Sequence, residues 1–184
     1  MKILWFSNAV LSSTDRGYTG TWLDALASQL VESGSISLSN ISIGRVKEYC
    51  KQDCGSIQQW ILPMKELHLK NGLPSKGAIS FIKQTVEKIN PDLIHIWGTE
   101  LFWGLLTSRQ IIACPSLLEM QGLKLAIAKV YLGGLTQREQ NECRGLKEVL
   151  KFRSIKKDAS NFQNWAVFEK EIINIFLTFI CYGM

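Results

Sequence analysis

Only two histidines, His68 and His95, occur among the 184 residues. That leaves little from which to build a histidine-based metal centre. The five cysteines are Cys50, Cys54, Cys114, Cys143 and Cys181. Their odd number and irregular spacing argue against a disulfide framework, and no second Cys or His pair joins Cys50 and Cys54 to complete a zinc site. Free thiols in a reducing cytoplasm are the expectation. No apolar run approaches the ~20 residues of a membrane span. The longest, Ile172 to Tyr182, is interrupted by Asn174 and Thr178. No secretory leader is expected, because Ser7 and Asn8 break the first apolar run and no small-residue cleavage site follows. The two glycine-rich phosphate signatures, G-x-G-x-x-G and G-x-x-x-x-G-K-[ST], are absent. Internal repeats and low-complexity segments are missing too.

What is present describes an ordinary globular chain. Hydrophobic residues make up 46% and charged residues 20%, which excludes a disordered tail and a fibrous repeat. The length suits one domain with a real core and is short for two. The net charge of +5 is local. Arg144, Lys147, Lys151, Arg153, Lys156 and Lys157 face one acid, Glu148, so this stretch alone carries +5 and the remainder is neutral. Such a patch suggests a phosphate or an anionic surface. A solvated helix face reads equally well from the same residues.

Lys2 to Ser7 is apolar enough for a strand buried on both faces. A polar loop, Asn8 to Thr19, leads into a helix over Thr21 to Glu32, with apolar residues at Trp22, Leu23, Leu26, Ala27 and Leu30 and a stop at Gly34. Ser37 to Ile43 alternates and reads as a strand; Ser56 to Pro63 is a third, nearer an edge. Ile79, Ile82, Val86 and Ile89 space a helix over Lys76 to Asn90, which Pro91 ends. Leu93 to Trp97 is a buried strand, Leu101 to Ile112 a helix and Pro115 to Met120 a fifth strand. Parts of Gln137 to Phe152, then Ala159 to Ile175, read as helical. This βαβ rhythm predicts a doubly wound parallel α/β sheet, with the five strands in the order 3-2-1-4-5.

In such a sheet ligands bind beyond the carboxyl ends of the strands. Three loops emerge there. The first carries Gly17, Tyr18, Gly20 and Thr21, whose glycines let backbone amides approach an anion at a helix start, or are simply turn glycines. The second is Gly98, Thr99 and Glu100. Glu100 is suited to accept hydrogen bonds from sugar hydroxyls or to stabilise the next helix by its charge, and the segment alone favours the helix. The third is Gln121 and Gly122. Trp97 is a better candidate than Trp5 for a sugar-facing ring. His95, between Ile94 and Ile96, reads as a buried histidine bonded to backbone.

Taken in order, Met1 to Ser7 (MKILWFS), Gly17 to Leu23 (GYTGTWL) and Pro91 to Glu100 (PDLIHIWGTE) resemble the N-terminal domain of glycosyltransferase family 4 enzymes. The resemblance covers about Met1 to Ile173, and the Pro91 to Glu100 stretch is its most specific part. It implies a Rossmann-like half of a GT-B fold, in which the N-terminal domain holds a glycan or lipid-linked acceptor and a second domain holds the nucleotide sugar. It implies acceptor contacts at Trp97, Gly98, Thr99, Glu100, Gln121 and Gly122. No catalytic residue is assigned, and neither a metal nor a nucleic-acid partner is expected. Because many enzymes of the family it resembles work on lipid-linked acceptors at the inner membrane surface, Arg144, Lys147, Lys151, Arg153, Lys156 and Lys157 are expected to meet anionic lipid. The location implied is cytoplasmic, peripheral to that surface.

Two departures stand out. Many family members carry a histidine just after the fifth strand, where this chain has Gln121, which cannot shuttle a proton. The family's donor site also uses two acids eight apart in a glycine-rich segment, and no two of the glutamates here have that spacing. Phe168 to Ile173 resembles the family's linking helix, and Asn174 to Met184 then reads as an apolar tail left by truncation or a split. The expectation is an acceptor-binding domain over 1–173 that lacks its donor half and is inactive alone. A stand-alone sugar- or partner-binding module is the alternative, and an unrelated flavodoxin-like protein a third reading.

Overall fold

The computed structural model describes residues 1–11, 21–120, 122–143 and 155–181. Gly17, Tyr18, Gly20 and Gln121 lie outside the described residues, as do Arg144, Lys147, Lys151 and Arg153. The chain forms two compact units, Met1–Gln121 and Gly122–Met184.

The first unit is a mixed α/β sandwich built on one six-stranded sheet. Its strands are β1 (Lys2–Phe6), β2 (Ser37–Gly44), β3 (Cys50–Cys54), β4 (Ile57–Pro63), β5 (Leu93–Trp97) and β6 (Ser116–Glu119), in the order β3-β4-β2-β1-β5-β6. Every pairing is parallel except β3 with β4. The five expected strands therefore take the expected order. The unanticipated β3 forms an antiparallel hairpin with β4, turning at Gly55, whose φ of 60° a glycine adopts without strain. Its sequence, CKQDC, has little strand propensity but suits an exposed edge.

The sheet is doubly wound for a topological reason. The chain runs from β1 through helix α1 (Thr21–Glu32) to β2 on one side. It later returns from β4 through helix α2 (Lys76–Ile89) to β5 on the other side of β1. Right-handed crossovers in opposite directions put α1 and α2 on opposite faces. Ile3, Trp5, Leu38, Ile57 and Trp97 pack with Leu23 and Ala27 of α1. Helix α2 buries Ala78, Ile82 and Thr85. Ser75 caps its start by accepting the Ala78 N–H at 3.1 Å. Asn90 ends it in the left-handed region, φ 49°, which removes the clash that Pro91 would make with a helical predecessor.

Helix α3 (Trp103–Ser108) is shorter than the expected Leu101 to Ile112. Its N-cap, Phe102, makes no side-chain cap bond, and Gln110 turns left-handed, φ 55°, soon after its end. The second unit consists of α4 (Lys124–Val130), α5 (Gln137–Glu142) and α6 (Ile155–Cys181). Helix α4 was not expected from the sequence. It packs on α6, where the fully buried Glu169 accepts the Leu125 N–H at 2.6 Å. Tyr131 meets Phe162 at 4.8 Å between ring centres. Helix α6 runs unbroken through the position where the apolar tail was expected to begin. Among the described residues, no helix is long and apolar enough to cross a membrane.

Candidate functional site

The strand order reverses between β1 and β5, and the carboxyl edge at such a reversal is where open α/β sheets place their ligands. The segment after β1 is held down from below. The Ser7 N–H bonds the Ile41 carbonyl at 3.0 Å. The Ser7 hydroxyl lies 2.7 Å from the Ala9 carbonyl and 2.9 Å from Asn40 Oδ1. Gln59, two strands away and fully buried, accepts the Leu11 N–H at 3.1 Å and donates to the Leu11 carbonyl at 2.8 Å. An alternating strand such as β2 ordinarily has one wet face. Here Ser39, Asn40 and Ser42 are all buried, and Asn40 serves to seat the β1 loop.

Asn8 stands on this seat. Its Oδ1 accepts the Trp103 indole N–H at 3.1 Å, and its Nδ2 lies 3.5 Å from Glu100 Oε2. Glu100 arrives from the segment that follows β5. The Gly98 N–H bonds the Glu119 carbonyl at 2.8 Å, and Gly98 then turns with φ 84°. The turn folds the Glu100 carboxylate back over Gly98, where a Cβ would collide with it. The helix that Glu100 was expected to stabilise starts only at Trp103, with Phe102 as its N-cap and no side-chain cap bond. Glu100 therefore comes within 3.5 Å of Asn8 on the β1 loop. Gly98→Ala should destabilise the unit by roughly 1–2 kcal/mol, the cost of a Cβ in the left-handed region, and should displace the carboxylate. Thermal unfolding beside the parent protein checks this.

The remaining candidates are placed as follows. Trp97 is 3% exposed and belongs to the core, so it offers no open ring face. It stacks on His95 at 4.0 Å and meets Trp5 and Trp22 edge-on at 5.0 and 5.1 Å. The exposed ring of this cluster is Trp22, at 48%. Gly98 and Thr99 are buried. Thr21 opens α1, and Gly122 begins the second compact unit. Asn8, Asn40, Gln59 and Trp103 were not singled out from the sequence. Only Asn8 carried a usable signal, as a polar residue just beyond the end of the first strand.

His95 differs from its expected backbone bond. Its Nε2 approaches the Glu119 carboxylate at 3.3 Å, without the alignment of a hydrogen bond. Burial pushes its pKa below the ordinary value, and the Glu119 charge only partly opposes that. The ring is therefore mainly neutral at pH 7. His95 Nε2, Trp5 Nε1 and Trp97 Nε1 are buried without hydrogen-bond partners. Against that cost stands ring packing, about 0.5–1.5 kcal/mol per pair. Among the described residues, no group of three or more His, Cys, Asp or Glu side chains is placed to hold a metal ion.

No protein-family model matches the chain, and no curated protein sequence is similar to it. Among solved structures it is similar to a sucrose-phosphate synthase from Thermosynechococcus elongatus, with a TM-score of 0.42 and 12% sequence identity. The match covers 86% of this chain and 39% of that one, so the chain spans about two fifths of that protein's length.

Proposed function

We propose that the chain is the acceptor-binding half of a GT-B glycosyltransferase, which moves a sugar from a nucleotide-sugar donor to a glycan or lipid-linked acceptor. The observation that carries this reading is the meeting of Asn8 and Glu100 at the reversal point of the parallel sheet. That is where open α/β sheets place their ligands. The reading is also supported by the Pro91 to Glu100 segment, which resembles the family and forms a buried strand, a glycine turn and an inward-folded carboxylate. A carboxylate accepts several hydrogen bonds at once, which suits a hydroxyl-rich acceptor.

Titration calorimetry with oligosaccharide acceptors tests the reading. Glu100→Gln should weaken acceptor binding by roughly 1.5–3 kcal/mol, the worth of a hydrogen bond to a charged group. Equal affinities of parent and variant would remove Glu100 from the site. The purified 184-residue chain should bind acceptor and transfer little sugar. Transfer requires donor and acceptor to be held together, a positioning effect of roughly 7–11 kcal/mol, and no two glutamates of this sequence stand eight apart as in the family's donor site. Sustained turnover of any nucleotide sugar by this chain would contradict that expectation.

A further inference from the structure

We propose that Trp22, the exposed end of the aromatic cluster on the α1 face of the sheet, is the stacking platform of a saccharide subsite, with Glu119 accepting from a sugar hydroxyl. The proposal rests on the reading of this sheet edge as an acceptor site and adds to it a second contact region with its own residues. Trp22 stands in the first turn of α1, and Trp97 and Glu119 pair as the last residues of β5 and β6, so all three lie at the carboxyl edge. Pairing also fixes the face. Paired residues of a parallel sheet point the same way; Trp5 pairs with His95, His95 with Leu117 and Trp97 with Glu119. Trp5 and Trp97 pack with Leu23 and Ala27 of α1, so the whole set shares the α1 face. Its inner part is closed, with Trp5 and Trp97 buried and His95 half-buried. Its outer part is open, with Trp22, Leu117 and Glu119 exposed.

Helix α1 does not need Trp22 for its packing. Leu23 and Ala27 form its buried stripe, and Trp22 is turned about 100° from Leu23 around the helix. The ring is nevertheless held. It meets Trp97 at 5.1 Å between centres and 65° between planes, while Trp97 stacks on His95 and stands edge-on to Trp5. Whichever ring offers its edge, that contact occupies at most one face of Trp22. A flat apolar face, fixed before a ligand arrives, matches the C–H face of a pyranose, whose hydroxyls stay in water around the rim. Glu119 supplies the polar half of the subsite. Its Oε2 lies 3.3 Å from His95 Nε2, without the alignment of a hydrogen bond, and its side chain remains open to solvent. A carboxylate so placed accepts from a hydroxyl of the stacked sugar or of the next one along a chain. A phosphate would meet the Glu119 charge. A quaternary ammonium needs several ring faces around it, and the buried Trp97 offers none. A neutral, hydroxyl-rich ring is the chemistry that fits.

The test uses the 184-residue chain, an array of labelled oligosaccharides, and acrylamide quenching of tryptophan emission with the best-bound sugar. Trp22 is the exposed tryptophan of the chain, so it should dominate the quenchable signal. Sugar should shield it, lowering the quenching and moving the emission maximum to shorter wavelength. That shielding should vanish in Trp22→Phe. Trp22→Leu keeps an apolar side chain and removes the flat face; it should weaken binding roughly three- to tenfold with an unchanged circular dichroism spectrum, and Trp22→Phe should recover part of the loss. Glu119→Ala should weaken binding by a similar factor. If both Trp22 variants bind like the parent and sugar leaves the quenching unchanged, while Glu100→Gln weakens binding, the subsite is overturned and the acceptor reading stands. If the Trp22 variants lose affinity and Glu100→Gln does not, the subsite stands and Glu100 leaves the acceptor site. If quenching falls with protein concentration alone and not with sugar, the face joins copies of this chain and the subsite is overturned. A parent that binds no saccharide on the array overturns both readings.

Discussion

Gln59→Leu should cost the fold roughly 2–6 kcal/mol, the largest loss expected from any single exchange considered. Leucine matches glutamine in length and suits a buried strand, so neither cavity nor propensity explains the loss. The cause lies in the partner. Gln59 satisfies both the N–H and the carbonyl of Leu11, a residue outside any strand or helix. With leucine in its place both backbone groups lose their bonds inside the protein, at about 1–3 kcal/mol each. Asn40 Nδ2, 3.5 Å from Gln59 Oε1, loses a neighbour as well. Urea unfolding should show a lower midpoint with an unchanged slope. The Leu11 amide should exchange with solvent far faster than in the parent. Should the segment instead peel outward to reach water, the stability loss shrinks but Asn8 moves, and acceptor affinity falls. An unchanged midpoint together with unchanged exchange at Leu11 would mean that the amide does not anchor the loop.

The second large effect concerns acid. Glu66 lies on the short 3-10 turn Met64–Leu67 after β4 and is buried. Its carboxylate accepts the Tyr49 hydroxyl at 2.6 Å and the Ser75 N–H at 3.1 Å, so it fixes the residue that caps α2. Tyr49 in turn stacks on Phe81 of α2 at 4.8 Å. Burial raises the Glu66 pKa, but the hydrogen bonds from Tyr49 and Ser75 together outweigh it and hold the carboxyl below its ordinary value. A group whose folded pKa is depressed stabilises the protein fully above its unfolded value and loses that contribution as pH falls through the folded value. Stability should therefore drop as the solution is taken below the ordinary carboxylate range, about 4.3. Glu66→Leu should remove that part of the pH dependence and lower stability at pH 7 by roughly 2–4 kcal/mol, since Ser75 N–H and the Tyr49 hydroxyl lose their acceptor. Thermal melts of both proteins from pH 7 to pH 3 check the sign. Parallel curves, with the variant displaced by a constant amount, would show that Glu66 does not titrate differently on folding.

Much of the first unit was legible in the chain itself. The apolar run Ile3 to Phe6 and the segment Leu93 to Trp97 read as strands buried on two sides, and Ile79, Ile82, Val86 and Ile89 as the core face of a helix. These are signals of period and composition, carried within a dozen residues. The edge strand Cys50–Cys54 was not legible, because its pairing with β4 owes little to its own propensity and much to the Gly55 turn. The short helix α4 escaped for a similar reason. A seven-residue helix has little intrinsic stability, and this one is completed by Glu169 of α6, 44 residues away.

The candidate site divides along the same line. The sequence by itself determined the parallel α/β core, its strand order and the position of Gly98 and Glu100 just beyond a strand end, because local hydrophobic pattern and the handedness of crossovers suffice for those. Only the tertiary structure decided which side chains meet there. Trp97, the last residue of its strand, turned inward to stack on His95 and became core, while Trp22 stayed exposed. The Glu100 carboxylate lies folded over Gly98, whose positive φ turns the chain there, and so reaches Asn8 of the β1 loop. Asn8 gained its role from an indole 95 residues away, and the loop that carries it is held by a glutamine 48 residues from Leu11. Hydrogen bonds of this kind depend on distance and angle between remote segments, and no local pattern of residues encodes either.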